Sequence, residues 1–136
     1  MAGYSGTPLW KKLGFKEGFR AALVNAPKGF QKELAPLPPD VQLLEQPAGK
    51  QFDLIVLFAA SQQVVKKEFS RLARKLVPNG MLWIAWPKKT SGIVTDFSEN
   101  DVRRIGLDAG LVDVKICAVN DIWSGLKFVY RLKDRK

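Results

Sequence analysis

The chain alternates between unbroken apolar runs and apolar positions at helical spacing, and this alternation predicts its elements. The clearest run covers residues 52–58, where Leu54, Ile55, Val56, Leu57 and Phe58 follow one another without a polar break. Such a strand is covered on both faces, as in a parallel sheet between helices. Residues 81–86 and 19–25 read the same way, and residues 41–44 form a short further strand. After residue 58 the period changes. Val65, Phe69, Leu72 and Leu76 keep to one face of a helix that Ser61 would cap and Pro78-Asn79-Gly80 would end. Ser98 and Asp101 form a capping box for a later helix, with Val102, Ile105 and Ala109 turned inward and Gly110 as its stop.

The flanks add smaller elements. Thr7 as N-cap, Pro8 at the first helical position and Gly14 as the stop predict a short opening helix that buries Leu9 and Leu13. Residues 30–35 make a second short helix, stopped by Pro36, Pro38 and Pro39. Residues 87–97 read as a long loop. Residues 112–119 and 126–132 are strands on either side of a turn at 120–125, the last antiparallel to its predecessor. Strands that alternate with helices imply a mostly parallel sheet with helices on both faces. The expected fold is therefore α/β: a three-layer, Rossmann-like sheet of about six strands, in one domain over residues 1–136.

Composition narrows the chemistry. The chain has no histidine and a single cysteine, Cys117. Ser-His-Asp and Cys-His nucleophile systems, histidine metal sites and thiolate zinc clusters are all excluded. The longest apolar run, residues 54–60, is far too short to span a membrane, and residues 1–12 hold no signal-like stretch. A cytoplasmic location without membrane contact is expected. The formal charge is +9 and uneven: net +5 over residues 1–32, +4 over 61–77, +4 over 127–136 and −3 over 96–113. A field of this sign attracts anions.

Residues 52–84 carry a resemblance. Phe52-Asp53-Leu54-Ile55-Val56, a helix, and then Leu76-Val77-Pro78-Asn79-Gly80-Met81-Leu82 resemble the second half of class I S-adenosylmethionine-dependent methyltransferases. The resemblance implies their strand order, with a terminal antiparallel pair. Gly3-Tyr4-Ser5-Gly6-Thr7-Pro8-Leu9, Ala85-Trp86-Pro87-Lys88-Lys89 and residues 117–126 are similar to a bacterial family known as a domain of unknown function. That similarity implies a fold and no activity. The methyltransferase pattern breaks at the first strand's exit. The glycine-rich loop expected there, needed for close backbone approach to the cofactor, is replaced by Asn25-Ala26-Pro27-Lys28-Gly29. Little chain lies between Leu44 and Phe52, so one βα unit is missing as well. S-adenosylmethionine is thereby disfavoured, although Glu45 stands where an acid would hold ribose hydroxyls.

Candidate ligand-binding residues follow from the fold, because open parallel sheets bind ligands beyond the carboxyl ends of their strands. Asn25, Lys28, Gly29, Ser61, Trp86, Lys88 and Lys89 fall there, with the three lysines expected at one edge of the sheet. Helix starts at Gly29 and Ser61 would add partial positive charge. Trp123, in the predicted turn, reads either as a stacking platform or as a cap on the core, and Asp121 as a general base or a turn cap. Lys67, Arg71, Arg74 and Lys75 form a basic helix face that is a solvated surface or a phosphate track. The expected role is a methyltransferase-like domain that binds a small anionic ligand or a protein partner without catalysis. A minimal methyltransferase and a nucleic-acid accessory protein are the alternatives.

Overall fold

The computed structural model describes residues 7–135. The Gly3-Tyr4-Ser5-Gly6 part of the opening motif and Lys136 lie outside them. Six strands form one sheet: β1 (Arg20–Val24), β2 (Gln42–Leu44), β3 (Phe52–Phe58), β4 (Leu76–Pro87), β5 (Leu111–Ala118) and β6 (Trp123–Tyr130). Four helices accompany it: α1 (Leu9–Leu13), α2 (Phe30–Leu34), α3 (Gln62–Ala73) and α4 (Glu99–Asp108). The strand order is β2-β1-β3-β4-β6-β5. β2, β1, β3 and β4 run parallel, and β6 is antiparallel to both β4 and β5. The expected α/β class and mostly parallel sheet are present.

Alternation along each strand divides the core in two. Ala22, Ile55, Leu57, Leu82 and Ile84 face α3 and α4, where they meet Val65, Phe69, Leu72 and Val102. Ala21, Leu23, Leu54, Val56 and Trp83 face the opposite layer and pack on Leu13, Phe30 and Leu34 of α1 and α2. Trp83 is fully buried and its indole N–H donates to the carbonyl of Leu13 at 2.8 Å. That bond satisfies a polar atom that burial would otherwise strand, and it fixes the end of α1 over β4.

Several boundaries differ from the sequence reading: the last strand, expected to run to residue 132, ends at Tyr130, and other ends shift by one residue. Leu76 does not extend α3. It opens β4, pairing with Phe52, because Pro78 biases its neighbours away from helix and Phe52 N–H donates to the Lys75 carbonyl at 2.9 Å. Pro78-Asn79-Gly80 therefore lies inside β4, at a shift of register against β3. Trp123, Ser124 and Gly125 belong to β6 rather than to a turn, paired with Pro87, Trp86 and Ala85. At the N-terminus, the cap position of α1 falls on Pro8, one residue after the expected Thr7. Gly106, inside α4, has a separate reason to be glycine: a Cβ there would come within 2.1 Å of the Phe128 ring.

Candidate functional site

Two clefts open at the carboxyl ends of the strands. The first, of about 520 Å³, lies at the exits of β1 and β2 and is lined by Asn25, Pro27, Lys28, Gly29, Lys32 and Glu45 among others. Asn25 leaves β1 with φ +60°, a left-handed conformation that asparagine tolerates. Phe30 N–H then donates to the Pro27 carbonyl at 3.1 Å, and Gly29 sits in this turn at φ +86°. This is the third position of a turn that favours glycine. A Cβ on Gly29 would meet nothing within 4 Å, so its backbone faces open space. Glu45 accepts from the Gln31 amide at 3.4 Å.

The second cleft, of about 420 Å³, lies at the exit of β4. Trp86, Pro87, Phe97 and Ile116 give it an apolar wall, while Lys88, Lys89, Ser124 and Glu99 bring polar groups. Glu99 is already engaged by Arg103 at 2.6 Å, which leaves the two lysines as the cations of this cleft. The Lys88 backbone N–H donates to the Ile122 carbonyl at 2.8 Å, pinning the loop to the β5–β6 connection.

The structure thus separates cations that the sequence placed together. Lys28 lines the first cleft; Lys88 and Lys89 line the second. Between these exits stands β3, and its last residue, Phe58, carries an aromatic stack. Phe30 meets Phe58 edge-on with ring centroids 4.8 Å apart, and Trp123 meets Phe58 edge-on as well, at 5.1 Å. Phe30 and Phe58 are almost wholly buried. These rings belong to one layer of the core, and the cleft at the exits of β1 and β2 stays open beside them, with Phe30 in its wall.

Other expected residues take up different roles. Ser61 occupies the N-cap position of α3, but its side chain makes no capping bond. The Gln62 N–H instead donates to the Asp96 carboxylate at 2.8 Å. Asp96 answers the positive end of the helix dipole from within the chain. Trp123 lines neither cleft and closes one layer of the core. Asp121 does not cap its turn: the Asn120 side chain does, accepting from the N–H groups of Ile122 and Trp123 at 2.9 Å each. Lys67, Arg71 and Arg74 are exposed along α3. Arg71 is paired with Glu68.

Solved structures share this fold. A S-adenosylmethionine-dependent methyltransferase from Aquifex aeolicus superposes with a TM-score of 0.64 at 18% identity, over 88% of this chain and 86% of that one. The magnesium protoporphyrin IX methyltransferase of Synechocystis gives 0.58 at 13% identity, over 90% and 78%. A possible exported protein from Bordetella parapertussis gives 0.65 at 12% identity. It is matched over 90% of this chain, which spans 65% of that protein's length. The chain has a methyltransferase-like Rossmann fold. No family model matches the sequence, and a search of curated proteins finds no match. Among the described residues, no helix is long and apolar enough to cross a membrane, and no cluster of Cys, Asp and Glu is arranged to hold a metal ion.

Proposed function

We propose that this chain is a methyltransferase-like domain that binds a small anionic ligand and transfers no methyl group. The observation that carries the proposal is the Phe30–Phe58–Trp123 stack. In open α/β sheets the ligand crevice lies at the point where strand order reverses. Beside that place Phe30 packs edge-on against Phe58, and Trp123 of β6 packs on Phe58 in turn, which supports this reading. The residues around it fit an adenosyl cofactor poorly. Pro27 contributes no backbone donor to the loop after β1, and Asp96 already meets the start of α3. The features that favour a minimal methyltransferase are Glu45 and the open backbone of Gly29, both in the first cleft.

Anion binding is supported by Lys28 in the first cleft and by Lys88 and Lys89 in the second. A protein partner is the second reading, favoured by Ile93 and Val94 at the tip of the loop after β4, where Val94 is 91% exposed. The similarity to the bacterial family of unknown function and a cytoplasmic location belong to the same proposal. Its test is a calorimetric titration with S-adenosylmethionine and its demethylated product. The expected result is no saturable binding by either. Saturable micromolar binding would return the chain to the methyltransferases.

A further inference from the structure

We propose that the α1 side of the β5–β6 hairpin is a second anion site, built by Lys12, Lys16, Lys115 and Lys127 for a compact phosphate-bearing molecule. These lysines come from separate pieces of chain. Lys12 lies in the last turn of α1 and Lys16 just beyond it, Lys115 is on β5, and Lys127 is on β6. Lys115 and Lys127 are direct cross-strand partners. Like charges in that relation destabilise a sheet, so this pair calls for something that offsets it.

Two contacts bring α1 over the same face. Trp83, opposite Lys127 on β4, donates to the Leu13 carbonyl at 2.8 Å. The Lys115 ammonium donates to the Lys12 carbonyl at 3.2 Å, joining residues 103 apart in sequence. Lys127 is half-buried, and its pKa is pushed down, first by burial and then by Lys115 and Lys16, against an opposing effect of Cys117. Burial pushes the Cys117 thiol up, while Lys12, Lys115 and Lys127 all act to bring it down. The Lys115–Lys127 pairing and the reach of Lys115 to Lys12 gather these lysines on the α1 side of the hairpin. No carboxylate is among the groups acting on Lys127 or Cys117.

The rest of the surface is treated differently. The ion pairs of the described residues centre on α3 and α4, where Arg71 meets Glu68, Arg103 meets Glu99 and Asp113, and Arg104 meets Asp101. Among the described residues, the hairpin cluster has no such partner. Lysine ammonium groups are compact point charges suited to phosphate. A phosphate monoester carries nearly two negative charges, which several converging cations match better than one carboxylate would. Convergence from three elements also suits a compact anion rather than a nucleic-acid backbone, which needs cations spread along its length. The site lies in the middle of β5 and β6, away from the clefts at the strand exits.

Inorganic tripolyphosphate is the probe, titrated calorimetrically into the full chain at fixed ionic strength. Saturable binding is expected, and Lys115→Ala with Lys127→Ala should weaken it by about 10-fold or more, as loss of charge-assisted contacts does. Lys66→Ala with Lys67→Ala removes equal charge from α3 and should change affinity by less than about 2-fold if the site is local rather than a net-charge effect. Lys88→Ala with Lys89→Ala should also leave it in place, so failure here is separate from failure of the strand-exit reading. Should the double alanine variant fail to fold, Lys115→Arg with Lys127→Arg should retain binding. The proposal is overturned by equal affinity in wild type and double alanine, by equal loss in the α3 control, or by a single-stranded oligonucleotide that binds the same lysines more tightly than tripolyphosphate.

Discussion

The end of β3 and the face of β5–β6 solve opposite problems. At the end of β3, side chains are used for packing: Phe30 and Trp123 each meet Phe58 edge to face. On the β5–β6 face, a sheet surface that could have been neutral carries Lys115 opposite Lys127, with Lys12 and Lys16 beside them. One region spends its side chains on packing, and the other sets two like charges across a strand pair, although Lys115 also ties down α1 through the Lys12 carbonyl. Stability accounts for the first arrangement. It accounts for only part of the second, because Lys115 still faces Lys127, and that is why the further anion site is proposed there.

The largest effect is expected at the aromatic stack. Phe58→Ala should cost about 3–5 kcal/mol in denaturant unfolding, the range for a buried Phe. A loss below about 1 kcal/mol would mean that the stack is looser than a packed core. On the opposite layer, Gly106→Ala should cost about 1–3 kcal/mol by overpacking, because its Cβ would press on Phe128. No loss would mean that α4 shifts freely over the sheet.

The charged region predicts the reverse sign. Lys127→Met should stabilise the free protein by about 0.2–1 kcal/mol at low salt, since it removes a like-charge cross-strand pair. The gain should shrink as salt rises. A destabilised variant would show that the ammonium group is compensated in the free protein. The smallest effect is in the pH dependence. Because the folded-state pKa of Lys127 lies below its ordinary value, the unfolded chain holds that proton more tightly. Its contribution to stability therefore rises with pH through the alkaline range between the folded and unfolded values. Unfolding curves of wild type and Lys127→Met should converge across that range. Curves that stay parallel would remove the lysine repulsion from the account.

What the sequence made legible was what local pattern determines. β3 is readable end to end because its apolar run is continuous, and α4 because Ser98 N–H and the Asp101 carboxylate complete a capping box at 2.9 Å. Leu76 misleads because its spacing continues the stripe of α3, while strand pairing with Phe52 decides its place. Trp123 reads as a turn residue because Gly125 follows it, yet Gly125 is a strand residue, close against Trp83 and Val119. Lys28, Lys88 and Lys89 are the right kind of residue at strand exits, but sequence alone cannot say that β3 stands between them. The Asp96 bond to Gln62 and the meeting of Lys12 with Lys115 join distant positions and leave no local trace. A lysine pair across two strands could have been suspected only once the register of the hairpin was known.

We propose that the strand exits beside Phe58 do not hold an adenosyl cofactor. Backbone amide NMR during titration with S-adenosylhomocysteine tests it most directly, because Gly29, Phe58, Ala59 and Trp123 report from those exits. These resonances should stay in place at millimolar ligand. Saturable shifts centred on Gly29 and Phe58 would contradict it.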